Sequence, residues 1–148
     1  MDIFTKEKRS AIMSRVRSAN TSPEIRVRRI LHQLGYRFRL HRRDLPGTPD
    51  IVLPAHHSVI LVHGCFWHRH DGCSDASMPN TRIGFWKEKF TENVNRDAKK
   101  TAALLALGWK VLIVWECELR NEGVLAERLQ RVLSQRGPHR KKAVQSNL

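Results

Sequence analysis

Three short apolar runs constrain this chain most: Ile51-Val52-Leu53, Val59-Ile60-Leu61-Val62 and Val111-Leu112-Ile113-Val114. They are rich in β-branched residues, which lose rotamer freedom in a helix but pack well on a pleated surface. The first two are separated by residues 54–58, starting with Pro54, and read as an antiparallel hairpin in the middle of a sheet. The third is uninterrupted, as in a strand covered on both faces. Alternation over residues 36–40 suggests a further half-buried strand, followed by a turn-rich stretch with Pro46, Gly47 and Pro49.

Helical patterns surround these runs. The pattern predicts a first helix over about residues 5–16, with Arg9, Arg15 and Arg17 giving a basic face and Ile12 and Met13 an apolar one. Thr21 and Glu24 stand in capping-box spacing with Pro23 in the first turn, so a second helix starts there. Ile25, Ile30, Leu31 and Leu34 make its buried stripe, and Gly35 stops it. A long helix starts after Thr81 and runs to Leu107, with Phe85, Phe90, Val94, Leu104 and Leu105 available for burial and Gly108 ending it. A last helix covers residues 122–135. This order predicts an α/β (α+β) domain with a central mixed sheet flanked by helices.

The 148 residues suit one domain, 1–148, with a loose basic tail at 136–148. Lys and Arg total 27 against 14 Asp and Glu, a net charge of +13, which points to a partner rich in phosphate. With no apolar stretch long enough to span a membrane and no signal-peptide pattern, the chain is expected in the cytoplasm. In that reducing compartment the three cysteines argue for metal ligation or inert burial over disulfides.

Residues 64–80 lack periodicity and hold Cys65, His68, His70 and Cys73 among loop formers. With Cys117 after the third apolar run, Cys65, His70 and Cys73 provide a Cys₃His set for a closed, structural zinc site, His68 being the rival nitrogen ligand. The metal would pin loop to sheet. The alternative is three unrelated cysteines.

Pro49-Asp50 opens a strand beside the end of the next, Val62-His63. An aspartate there, next to a neighbouring strand's carbonyl, suits Mg²⁺ against a phosphate oxygen. Many Pro-Asp pairs are only turns, and the acidic residue and lysine that restriction-type nucleases carry on the second strand are replaced by Val62-His63-Gly64. A base must then come from elsewhere. His68 suits it, since imidazole with a pKa of about 6.5 accepts a proton near neutrality. Phe66, Trp67 and Trp86 have little core to enter and could stack on bases, whereas Trp109 and Trp115 are assigned to the core.

These segments, Leu45-Pro46-Gly47-Thr48-Pro49-Asp50, His63-Gly64-Cys65-Phe66-Trp67-His68, Phe85-Trp86, residues 93–97 and residues 108–117, together resemble the very short patch repair (Vsr) endonucleases, over nearly the whole chain. The resemblance implies a restriction-endonuclease-like fold and a strand nick 5′ of the thymine in T:G mismatches, which arise when 5-methylcytosine deaminates. It makes Asp50 a direct Mg²⁺ ligand with the Val62 carbonyl, and His68 the base. Glu24, His63, Asn93 and Asp97 would hold waters around that ion. Phe66, Trp67 and Trp86 would wedge into the duplex, Cys65, His70, Cys73 and Cys117 would bind Zn²⁺, and a basic helix within residues 1–19 would clasp DNA. The expected partners are mismatched double-stranded DNA and downstream repair proteins (polymerase, ligase, mismatch-repair factors), with no membrane. The chain is expected to be a monomer, associated with the nucleoid when it acts on DNA. Competing readings are a restriction-type enzyme cutting both strands and a non-catalytic, zinc-containing DNA-binding module.

Overall fold

The computed structural model describes residues 20–134, so the expected first helix and the basic tail lie outside the described residues. The elements are α1 (Ser22–Gln33), β1 (Arg39–Leu40), β2 (Ile51–Leu53), β3 (Ser58–His63), α2 (Ile83–Ala106), β4 (Lys110–Trp115) and α3 (Glu122–Leu133), with short 3₁₀ turns at Pro54–His56, Ser74–Ala76 and Glu116–Arg120. The sheet order is β1-β2-β3-β4. The β1–β2 and β2–β3 pairs are antiparallel, and β3 and β4 run parallel. A parallel pair needs a long crossover, and α2 supplies it. This is the mixed α/β arrangement that the residue pattern predicts.

Helices cover the sheet on both faces. On one, Val27, Ile30 and Leu31 of α1 and Leu125, Leu129 and Leu133 of α3 pack with Ile51, Leu53, Ile60, Leu112 and Val114. On the other, Leu104 of α2 meets Leu45, Val52 and Val59. Alternate side chains of one strand point to opposite faces, so three-residue β2 is buried throughout, with Val52 turned to the α2 side.

Several expectations need correction. The buried stripe of α1 uses Val27 in place of Ile25, which is exposed because its position faces away from α3 and the sheet. The strand expected over residues 36–40 shrinks to the exposed pair Arg39–Leu40, while Tyr36 and Phe38 pack on the core from irregular backbone. β4 is an edge strand covered unequally: Leu112 and Val114 are buried on the α1 and α3 side, while Val111 is only half-buried against the Leu45, Val52, Val59 and Leu104 cluster on the other. Trp109 is half-buried but packs on the Leu45, Val52, Val59 and Leu104 cluster as expected, whereas Trp115 is half-buried at that edge; each also stacks on a histidine, Trp109 on His57 and Trp115 on His70.

The largest difference is in α2. Phe85, Val94 and Leu105 are exposed, whereas Phe90, Asn93 and Leu104 are buried. The inward stripe is Phe90, Asn93, Asp97, Lys100 and Leu104, at helical spacing but apolar only at its ends. Its polar middle faces a cleft, so a search for apolar periodicity selects the wrong face. The adjacent leucines separate the two faces. Leu104→Ala should cost about 2–5 kcal/mol of unfolding free energy, and Leu105→Ala no more than about 0.5 kcal/mol, in urea titrations.

Candidate active site

A cleft of about 790 Å³ lies between the N-terminus of α1, the ends of β2 and β3, and the middle of α2. The start of β2 supplies Asp50. Extending the β2–β3 register beyond Ile51↔Ile60 by two residues brings Pro49 opposite Val62. Proline has no N–H to offer a facing carbonyl, so the Val62 carbonyl is left for another partner. The Val62 N–H is satisfied by Asp50 itself, donating to Oδ2 at 2.9 Å. The Pro-Asp pair therefore opens the ladder and fills half of the opening with a carboxylate.

Glu24 enters from α1. The capping box forms as the spacing predicts: Thr21 N–H donates to Glu24 Oε2 at 2.9 Å, and Glu24 N–H donates to Thr21 Oγ1 at 3.5 Å. The cap fixes a buried carboxylate, 3% exposed, against Asp50. Two such groups in a desolvated corner cannot both ionise freely. Burial and the hydrogen-bonded Glu24 carboxyl push Asp50 from 3.8 up to about 7, only partly opposed by the Val62 N–H and the Lys100 charge. Glu24 is held below its usual range, through hydrogen bonds from Asp50, Thr21 and His41 that outweigh its burial. Without a cation, the pair shares a proton.

The opposite wall carries the histidines. His68 Nδ1 lies 2.6 Å from Asp97 Oδ2 on α2. If Nδ1 carries the proton it donates to Asp97, and Nε2 is then an acceptor. His63, the last residue of β3, stacks on His68 at 3.9 Å with an interplanar angle of 6° and meets Trp115 edge-on. Burial, then the nearby His68 and Lys100, lower its pKa to about 4, so it is neutral across the physiological range. Among the described residues its buried Nδ1 has no hydrogen-bond partner. Asn93 is buried beside them and donates from Nδ2 to the Trp67 carbonyl at 3.2 Å.

The loop after β3 brings Cys65, His70, Cys73 and Cys117 together, with one ligand atom from each within 4.8 Å of the others. His70 Nδ1 is 3.5 Å from Cys117 Sγ, and the Cys117 N–H donates to Cys65 Sγ at 3.4 Å. It is His70 that the structure brings to the three cysteines; His68 instead faces Asp97 in the cleft. Burial and the adjoining thiols push Cys65 up to about 12, a penalty that a soft cation would reverse. Four such donors fit zinc at a closed tetrahedral site. The paired carboxylates, a neighbouring strand carbonyl and an orphaned imidazole nitrogen fit a hard divalent cation and its waters.

Phe66, Trp67 and Trp86 form one cluster over the buried Phe90, with ring centroids 5.1–5.8 Å apart. All three are half-buried, and Trp67 also lines the cleft. Three residues escaped the sequence reading. Arg69 lies 4.0 Å over the Phe90 ring and donates to the carbonyls of Phe66, Ala76 and Ser77, fastening the loop from within. Lys100 lines the cleft, with its aliphatic stem across Gly47, where a Cβ would meet it at 2.6 Å. The site therefore has a lysine, delivered by a helix. His41 adjoins Glu24, with Nε2 3.5 Å from Oε1. Only its register position could have shown it.

A carboxyl whose folded pKa is raised costs stability that is absent below its unfolded value and fully present above the folded one. For Asp50 that window runs from 3.8 to about 7. Without added divalent cation, Asp50→Asn should stabilise the protein by about 1–3 kcal/mol at pH 8 and leave it nearly unchanged at pH 4. Equal effects in urea titrations at both pH values would contradict the shared proton.

The comparisons agree with this geometry. The profile of the family described as DNA mismatch endonuclease Vsr matches residues 1–75. The chain is 52% identical over 132 residues to the type II nicking enzyme V.XorIIP of Xanthomonas oryzae pv. oryzae, covering 89% of this chain and 96% of that one. It is 43% identical to the type II nicking enzyme V.NmeAIP of Neisseria meningitidis, covering 89% of this chain and 94% of that one. With the DNA mismatch endonuclease Vsr of Escherichia coli it shares 42% identity over 87% of this chain and 85% of the relative. The fold is restriction-endonuclease-like, the chain is a nuclease, and it belongs to the Vsr family of DNA mismatch endonucleases.

Proposed function

We propose that this nuclease nicks one strand of double-stranded DNA 5′ of the thymine in a T:G mismatch, with Mg²⁺ in the cleft and Zn²⁺ in the loop. The observation that carries the reading is the meeting of three features at one cleft: the Glu24–Asp50 pair, the His68–Asp97 pair and the edge of the Phe66–Trp67–Trp86 cluster. Such aromatic wedges lose a few kcal/mol in unstacking a base step and recover it by stacking, which favours a step already weakened by a mismatch. Relatives described as nicking enzymes and as a mismatch endonuclease support both the nick and the target. The net charge of +13 supplies attraction for the phosphate backbone.

Asp50 and the Val62 carbonyl would hold Mg²⁺, which supplies charge against the phosphate when bound. Water is positioned by Glu24, His63 and Asn93. His68 Nε2 takes its proton as the water attacks phosphorus and the bond from phosphorus to the 3′ oxygen breaks, that oxygen leaving with a proton from solvent water; Asp97 holds the ring in the tautomer that leaves Nε2 free to accept. The stacked, neutral His63 keeps a second positive charge away from that base. Lys100 adds a fixed positive charge beside Asp50, where a restriction-type nuclease would place a strand lysine.

The direct test is a nicking assay on duplexes that differ only in T:G against C:G. The wild-type chain should nick the thymine strand of the T:G duplex when Mg²⁺ is present and leave C:G intact. Asp50→Ala should abolish the nick, and His68→Gln should slow it by about 10²–10⁴-fold. Equal cleavage of both duplexes, or cuts in both strands, would point to a restriction-type enzyme; salt-sensitive binding with no nick in any metal would point to a binding module.

A further inference from the structure

We propose that His41 is a further, nitrogen donor to the cation held by Asp50 and the Val62 carbonyl, beside the water-positioning Glu24, which gives this nuclease site a preference for Mn²⁺ over Mg²⁺. The inference rests on the reading of Asp50 as a cation ligand and deepens it.

The position follows from register. β1 and β2 pair antiparallel with Leu40 opposite Ile51, so the next step brings His41 opposite Asp50. The His41 N–H donates to the Asp50 carbonyl at 3.2 Å, continuing the ladder one residue past the strand. Facing residues of an antiparallel pair have their Cβ atoms about 4.5–5.5 Å apart, so the two side chains start as neighbours. His41 then takes a left-handed backbone, φ 46°, which few residues other than glycine adopt. Strain of this kind persists where the surroundings enforce it, and it clusters at ligand-binding positions.

The outcome is a compact donor set. One ligand atom from each of Glu24, His41 and Asp50 lies within 4.8 Å of the other two. Two donors each about 2.0–2.2 Å from one ion stand at most about 4.4 Å apart, so only a small approach lets His41 and Asp50 close on it, with Glu24 left to hold a bound water. The His41 side chain is 24% exposed and that of Glu24 5%, so the imidazole keeps contact with solvent beside a buried carboxylate. Mg²⁺ favours oxygen ligands and keeps several waters, whereas imidazole suits later first-row cations and a mixed oxygen and nitrogen set suits Mn²⁺. If His41 were only a counter-ion for Glu24, it would affect cation binding without touching the cation.

Electron spin echo envelope spectroscopy of the zinc-loaded, full-length protein with one equivalent of MnCl₂ separates the two, because directly bound imidazole modulates the Mn²⁺ echo at ¹⁴N frequencies. The wild type should show that modulation. His41→Gln should lose it and bind Mn²⁺ at least about tenfold more weakly by calorimetry, with a smaller loss for Mg²⁺; His63→Gln should keep it. Mn²⁺ bound to the wild type without ¹⁴N modulation would overturn the proposal whatever the variants do. So would modulation that survives in His41→Gln and disappears in His63→Gln. Equal Mn²⁺ affinity in the wild type and Asp50→Asn would instead remove the Asp50 reading, and the His41 proposal with it.

Discussion

The structure depends on how residues 64–76 are held, because this segment has almost no core of its own. Cys65 is buried, but most of the stretch is half-buried or exposed and is built from turns. The Cys65, His70, Cys73 and Cys117 cluster ties it to the end of β4, Arg69 fills its interior against Phe90, and the His68–Asp97 and Asn93–Trp67 hydrogen bonds fasten it to α2. The imidazole of His70 also stacks on Trp115, 4.1 Å away, and Trp115 in turn meets His63 edge-on. The cysteine cluster is thus in mechanical contact with the histidines of the cleft. His68, Phe66 and Trp67 all ride on this loop, so the residues proposed as base and as two of the three wedges depend on how it is held.

The other half of the site is built by elements that serve twice. Thr21 and Glu24 cap α1, and the same Glu24 carboxylate closes on Asp50. Pro49 ends the β2 ladder, and in doing so leaves a neighbouring carbonyl without a backbone donor. α2 is the crossover between the parallel strands β3 and β4, and its middle gives up apolar burial to present Asn93, Asp97 and Lys100. Each device costs some stability, most visibly in the carboxyl pair that must share a proton, and such costs are usual where a site is preorganised for a charged ligand.

What the sequence made legible follows from range. Local signals were clear: the capping box, the three apolar runs, Gly35 and Gly108 after their helices, and the Cys₃His set, whose fourth member lies one strand away in a predictable place. Features fixed by pairing and packing were not. His41 gains meaning only when the register sets it across from Asp50, and Lys100 only when α2 turns its polar middle inward. Phe85, Val94 and Leu105 look like a buried stripe until the cleft is known to occupy the opposite face. Trp115 resembles a core residue because it flanks a buried run, but it is only half-buried at the sheet edge. Asp50 was a weak signal in isolation, and it is the Glu24, His41 and Val62 neighbours that make it a candidate cation ligand.

Zinc content measured together with hydrogen exchange across residues 64–76 tests most directly whether a metal-held loop organises this active site. The expected result is one zinc per chain, and loss of protection in this segment when the metal is stripped. Amides of β2 and β3 should stay protected while nicking is lost. A zinc-free protein whose loop remains protected and which still nicks its duplex would contradict it.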